Sequence, residues 1–292
     1  MSVPAAYIGV ILIWSTTPLA IQWSVIGSSF LFGLMARLVV GVLLCLALLR
    51  LMRIAFPWHL GAVRLYLAAG LGIYGGLLTV YWGAQYIPSG LIAVIFGLTP
   101  LATGVMAAVW LGEQALTLPK VAGTLLGLAG LSLIFEAGRQ WENGSWVGIA
   151  AMLISMLIHS ASSVWVKRLG DGIRLHPMAI NGGALVVAAS LSLLTWLGSG
   201  DTMPVTLSLQ TAGSILYLGI AGSVVGFTLY YHILRHLPAG VIALITLVTP
   251  VLALLLGQWL NGERVEPRIW WGTAVILAGL LLYQWSNLTT RR

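Results

Sequence analysis

The sequence predicts an all-α integral membrane protein in which ten transmembrane helices form two inverted five-helix repeats around a central cavity. Three observations predict it. Charged residues are 7% and hydrophobic residues 59% of the 292 residues, with a mean hydropathy of +0.99. Soluble domains carry roughly 25% charged residues, so a water-facing surface cannot be assembled from this material. The apolar residues also fall into runs of about 20, the length needed to cross a bilayer core. Finally, the stretch Tyr86–Pro100, YIPSGLIAVIFGLTP, is rewritten at His236–Pro250 as HLPAGVIALITLVTP.

Polar or turn-rich breaks separate spans at 3–23, 29–49, 64–85, 89–111, 118–136, 146–166, 177–197, 209–232, 239–260 and 268–286. No Lys or Arg precedes the first, and it is longer than a signal-peptide core, so it reads as a retained helix. The second runs up to Arg50, and the longest connection, 50–63, follows it. The fourth and ninth begin beside Pro88 and Pro238 and end at Gly112-Glu113 and Gly262-Glu263. The fifth stops at Glu136, and the remaining spans are bounded by the charged connections around Glu142, Arg174, Asp201, Arg235 and Arg264. No segment is left for a water-soluble domain.

Positive charge sets the expected orientation. With the N-terminus inside, Arg50, Arg53, Arg64, Lys120, Lys167, Arg168, Arg174, Arg235, Arg291 and Arg292 fall on the cytoplasmic side, and only Arg139, Arg264 and Arg268 on the other. That bias predicts a multi-pass protein of the bacterial cytoplasmic (inner) membrane with both termini cytoplasmic. The net charge of +7 is therefore about orientation; no basic run long enough for nucleic acid exists. Cys45 is the single cysteine, so neither a disulfide framework nor a cysteine-based metal site is available.

The duplicated stretch extends well beyond fifteen residues. At an offset of 150, Pro88, Gly90, Ile92, Ala93, Ile95, Thr99, Pro100, Gly112 and Glu113 are matched by Pro238, Gly240, Ile242, Ala243, Ile245, Thr249, Pro250, Gly262 and Glu263. The Gly72-x-x-x-Gly76 spacing recurs as Gly222-x-x-x-Gly226, and Tyr81 as Tyr231. The expected units are residues 1–136, a connecting loop at 137–145, and residues 146–292. Five spans is an odd number, so the second copy enters the membrane from the opposite side, which is the inverted repeat of alternating-access transporters.

The residues "IWSTTPLA", "YWGAQYIPSGLIAVIFGLTP", "LGE" and "GTLLGLAGLSLIF" together resemble the EamA family of the drug/metabolite transporter superfamily, which includes the YddG-type amino-acid exporters. The resemblance covers nearly the whole chain. It implies ten helices in two inverted halves, with a cavity lined mainly by the first, third, fourth, sixth, eighth and ninth helices. The sequence departs from the family pattern where Trp14-Ser15 of the first half is answered by His159-Ser160 in the second, replacing an aromatic by an ionisable group.

The expected site follows from the prolines. Pro18, Pro100 and Pro250 fall inside spans, where each frees the carbonyl four residues earlier, at Trp14, Phe96 and Thr246. At membrane depth a freed carbonyl needs a partner or a wet cavity, and broken helices at equivalent places in two halves point to a substrate site. The alternative is a kink repaired by Thr17, Thr99 or Thr249. The substrate-cavity candidates are Trp14, Thr17, Pro18, Tyr74, Tyr81, Trp82, Thr99, Pro100, His159, Ser162, Tyr231, Thr249 and Pro250. Trp165 and Tyr230 offer further aromatic faces, whereas Trp58, Trp141, Trp146, Trp270 and Trp271 flank span ends and fit an interfacial belt.

Arg37 and His159 are the ionisable groups well inside a span, and such groups are functional hypotheses by default. Arg37 resembles the arginine often found at this position in the family. It could attract a carboxylate or bind backbone carbonyls; His159 could couple transport to protons or sit neutral beside Ser155 or Ser162. The seven Asp and Glu residues all fall at span ends or in connections. That argues against the multidrug branch of the superfamily, which relies on a first-helix glutamate. Glu113 and Glu263 are expected to organise the turns they end.

An intramembrane serine protease is excluded because Ser89-Gly90 follows Ile87-Pro88 rather than completing a G-x-S-G motif. The expected function is export of small metabolites, foremost amino acids or related zwitterions, by a facilitator or weakly proton-coupled carrier. A multidrug or nucleoside-like metabolite transporter, a small apolar toxicant as cargo, and a structural or lipid-scrambling protein are the competing readings. No cofactor, metal or nucleic-acid partner is expected; the partners are a small-molecule substrate and the lipid bilayer, and the chain is expected to be monomeric.

Overall fold

The computed structural model describes residues 2–112, 117–139, 145–171, 173, 175–237 and 245–289, and among them every regular element is a helix. In chain order these are α1 (Val3–Trp23), α2 (Phe30–Leu51), α3 (Leu60–Gly83), α4 (Ser89–Phe96), α5 (Thr99–Leu111), α6 (Leu118–Arg139), α7 (Ser145–Gly170), α8 (Pro177–Gly198), α9 (Leu209–Tyr217), a π-helical segment (Leu218–Val225), α10 (Gly226–His236), α11 (Ile245–Asn261) and α12 (Pro267–Thr289). Taking α4 with α5, and α9 with the π segment and α10 as far as Tyr230, eight helices among the described residues are long and apolar enough to cross a membrane; Ile245–Asn261 and Pro267–Tyr283 are shorter apolar helices.

The helix ends follow from local chemistry. Ser29, His59, His176 and Ser208 each accept a backbone N–H of the helix they precede, at 3.0 to 3.2 Å. These caps satisfy donors that would otherwise be orphaned. Gly112 and Gly262, equivalent at the offset of 150, close α5 and α11 with the same φ of 63°, a conformation that favours glycine.

Two expected spans differ from an unbroken helix. The 89–111 span breaks at Gly97–Leu98 between α4 and α5. The 209–232 span holds the eight-residue π segment, where Ser223 Oγ donates to Leu218 O at 3.0 Å and Gly226 N–H to Ala221 O. Residues 238–244, with Pro238, Gly240, Ile242 and Ala243 of the second copy, lie outside the described residues, as does Glu113.

Packing is closest where side chains are smallest. α6 and α12 cross most intimately: a Cβ on Gly123 would lie 2.5 Å from Gly279 O and one on Gly279 2.6 Å from Gly123 O. A Cβ on Gly130 would lie 2.6 Å from Gly272 O and one on Gly272 2.8 Å from Gly130 O. Such backbone approach replaces the hydrophobic drive that lipid does not supply between helices. Elsewhere α3 packs on α7 and α8, α2 on α8 and the π segment, α5 on α7, and α1 on α10, α11 and α4; α4 lies in turn on α11. The helices that carry Pro18 and Pro250 therefore touch each other and α4, the helix just before the break at Pro100.

Candidate functional site

Pro100 is the second residue of α5, just past the break, and the structure shows what becomes of the carbonyl it frees. Thr99 Oγ1 donates to Phe96 O at 2.6 Å, so that acceptor is satisfied within the chain, as the repaired-kink reading expects. Gly97 allows the turn: a Cβ there would lie 2.9 Å from Val94 O and 3.5 Å from Pro250 Cγ, which sets the second-half proline directly against the first-half break. Pro250 and Thr249 are buried in α11, which stays helical through them. The His159 ring lies 6.4 Å from that of Phe96 and is exposed on α7, so the break and the departure from the family pattern share one neighbourhood.

A second neighbourhood surrounds α1. Pro18 is buried inside the helix, while Thr17 Oγ1 donates to Ile13 O at 2.7 Å and Thr16 Oγ1 to Leu12 O at 2.7 Å. These hydroxyls thus serve carbonyls before that of Trp14. Thr16 Oγ1 also pairs with Tyr217 Oη at 2.5 Å. The Trp14 ring packs on Tyr230 at 5.0 Å, and a Cβ on Gly226 would lie 3.6 Å from Trp14 Nε1. Beside them Arg37 is buried at 5% exposure, its Nε donating to Ser223 Oγ at 3.4 Å. Asn181 Nδ2 donates to Ser223 O at 3.2 Å, so α2, α8 and the π segment meet on one serine.

Other candidates have structural partners. Tyr81 is 0% exposed, next to Gly33 and 3.5 Å from Ser24 Oγ, which makes it a core residue rather than a wall. Tyr74 Oη pairs with Thr195 Oγ1 at 2.5 Å and ties α3 to α8. Ser162 Oγ donates to Ala68 O at 3.0 Å and Ser155 Oγ to Gly76 O at 2.7 Å. Both serines thus bind α3 rather than His159. Any Cβ on Gly72 would collide with Ser162, which gives the Gly72-x-x-x-Gly76 spacing its packing partner. Trp82, 38% exposed, pairs edge-on with Tyr86 near the end of α3. The Tyr231 side chain lies outside the described residues.

Sequence reasoning passed over a network joining the end of α1 to the end of α11. Asn261 Oδ1 accepts from Trp23 Nε1 at 3.0 Å, and Asn261 Nδ2 donates to Gln22 Oε1 at 3.2 Å and to Glu263 Oε1 at 2.8 Å. Gln22 Nε2 donates to Ile87 O at 2.7 Å and Ala84 O at 3.2 Å, adding the α3–α4 connection. Glu263 thereby organises its turn, and its N–H donates to Gly257 O at 3.1 Å. The available signal was two amides, an indole and an acid at the ends of two otherwise apolar runs.

Comparison with known proteins gives two matches to one family model, described as the EamA-like transporter family, at residues 3–136 and 146–285. A probable terminal-alkyne amino-acid exporter of Streptantibioticus cattleyicolor is 30% identical over 77% of this chain and 73% of its own length. An uncharacterized inner membrane transporter of Escherichia coli K12, YedA, is 26% identical over 73% of this chain and 67% of its own. A solved crystal structure, 20% identical, covers 100% of this chain and 99% of its own with a TM-score of 0.67, which shows the fold.

Proposed function

The chain belongs to the EamA-like transporter family, a family of transporters and not of enzymes, and from that premise we propose that it exports small zwitterionic metabolites, amino acids foremost, across the bacterial inner membrane by alternating access. In this reading ten helices form two inverted halves, residues 1–136 and 146–292 joined by 137–145, with both termini cytoplasmic and a cavity where the proline-broken helices converge. The carrier is a facilitator, or at most weakly coupled to protons through His159.

The observation that carries the reading is reciprocal packing. Gly123 meets Gly279 while Gly130 meets Gly272, so each end of one seam mirrors the other. The contact of α3 with α7 is likewise answered by that of α10 and the π segment with α1. Such pairing supports two halves related by a two-fold axis in the membrane plane, the plan of alternating-access carriers. For the substrate class, the exporter relative fits a site with aromatic faces at Trp14 and Tyr230 and, among the described residues, no carboxylate in a helix interior with which to hold an organic cation.

Topology and substrate are tested separately. Cysteine introduced at 86–88 should react with an impermeant thiol reagent from outside, and one at 236–238 only from the cytoplasm; Cys45 is buried and adds little background. Labelling of both from one side would remove the inverted repeat. In liposomes, efflux across amino acids, nucleosides and lipophilic cations should favour amino acids, and preference for a permanent cation would sink the substrate class.

A further inference from the structure

This inference rests on the transport reading above and concerns which end of the solute the protein grips. Arg37 lies well inside α2 at 5% exposure, and its hydrogen bonding is incomplete: Nε makes one long bond to Ser223 Oγ, and Nη1 is buried without a partner. A guanidinium does not deprotonate in proteins, and a buried charge without a counter-ion costs several kcal/mol. Among the described residues the carboxylates Glu136, Asp171, Asp201, Glu263 and Glu266 stand at helix ends or in connections. If Arg37 served only to staple the π segment through Ser223, its outer nitrogens would need partners of their own.

The surroundings say what would complete it. The place a Gly222 side chain would occupy is flanked by Arg37 Nη2 at 3.3 Å and Thr17 Oγ1 at 3.8 Å. Thr17 spends its proton on Ile13 O, so its remaining valence is an acceptor. One turn further, Gly226 faces Trp14 Nε1 and the Trp14–Tyr230 pair. Residues four apart on a helix lie about 5–6 Å from one another, the span of a small amino acid from its carboxylate to its side chain. We propose that Arg37 binds the α-carboxylate of the transported zwitterion through Nη1 and Nη2, while Thr17 Oγ1 accepts from the ammonium and the apolar body lies against Trp14 and Tyr230. Parallel N–H donors are the arrangement in which arginine holds a carboxylate most strongly.

The test compares leucine with leucinamide, which share ammonium and side chain and differ in the carboxylate, in two readouts: efflux from liposomes and protection of the detergent-purified protein against thermal unfolding. The parent should favour leucine by about tenfold or more, as expected for loss of a charge-assisted pair. Arg37→Gln should bring the ratio to near one by losing leucine and leaving leucinamide, and Arg37→Lys should keep part of the preference. Equal losses for both solutes in Arg37→Gln, or no preference in the parent, would overturn the assignment. Arg37-dependent protection by leucine without any efflux would keep the anchor and refute the transport reading; efflux without discrimination would do the reverse.

Discussion

Residues 95–100 and 245–250 carry nearly the same sentence, IFGLTP and ITLVTP, on different backbones. The first breaks after Phe96 and restarts at Thr99, while the second runs helical through Pro250. Proline is common to both, so proline does not decide the break. The difference lies two residues into the pair, where Gly97 stands against Leu247: the glycine gives room for a turn beside Val94 O and Pro250, and the leucine holds the helix. A pair of diverged repeats thus sets a break at Gly97–Leu98 against a helix that runs from Ile245 through Pro250, with the break beside His159.

The largest effect is expected from making the first copy resemble the second. Gly97→Leu would force a side chain against Val94 O and Pro250, and overpacking of this kind costs about 1–3 kcal/mol. Efflux should fall about tenfold or more, with a lower midpoint of thermal unfolding; parental flux would show that the break has no part in transport. A smaller effect separates the two threonines. Thr99→Val leaves Phe96 O without its donor and should cost about 1–3 kcal/mol in thermal unfolding. Thr249 makes no corresponding bond among the described residues, so Thr249→Val should stay within about 0.5 kcal/mol. Equal costs would mean that the second carbonyl is repaired in the same way as the first. The smallest effect is expected at His159: His159→Ala should retain downhill flux within about twofold, because no described serine holds the ring and no described carboxylate lies in a helix interior to relay its proton. Loss of a flux that the parent shows only under a pH gradient would refute the facilitator reading.

Much of the fold was legible because length and charge speak plainly in a membrane chain. The expected 3–23 and 177–197 spans appear as Val3–Trp23 and Pro177–Gly198, and most other ends lie within a few residues. The π segment was not legible, since a helix apolar on every side carries no phase from which a change in hydrogen-bond register could be read. For the same reason Tyr81 passed as a cavity wall: apolarity in such a chain does not separate protein core from lipid-facing surface, and only packing shows the ring to be fully buried. The spacing of Gly123 and Gly127 marks a helix contact in the sequence, but its partner was not legible, because Gly123 and Gly130 match Gly272 and Gly279 at an offset of 149, one residue short of the register that aligned the rest. Arg37 and the proline cluster were visible as residue types, but the role of Ser223 and Asn181 beside them depends on a helix crossing that no local pattern encodes.

The network of Gln22, Trp23, Asn261 and Glu263 sets a clock. It joins α1, the α3–α4 connection and α11 at one end of the molecule through five hydrogen bonds of 2.7 to 3.2 Å, none of them an ion pair. Four of the five join neutral groups and contribute about 0.5–1.5 kcal/mol each once water competes for them, while the fifth ends on Glu263 Oε1. A tie built from amides can therefore be undone and remade within the microsecond-to-millisecond range of collective helix motion, whereas buried ion pairs would hold that end shut far longer. Two of the five, Trp23 Nε1 to Asn261 Oδ1 and Asn261 Nδ2 to Gln22 Oε1, join α1 to α11, and both end on Asn261, so parting those helices breaks both at once. In the carrier proposed above, Asn261 is then the single latch whose release frees this end.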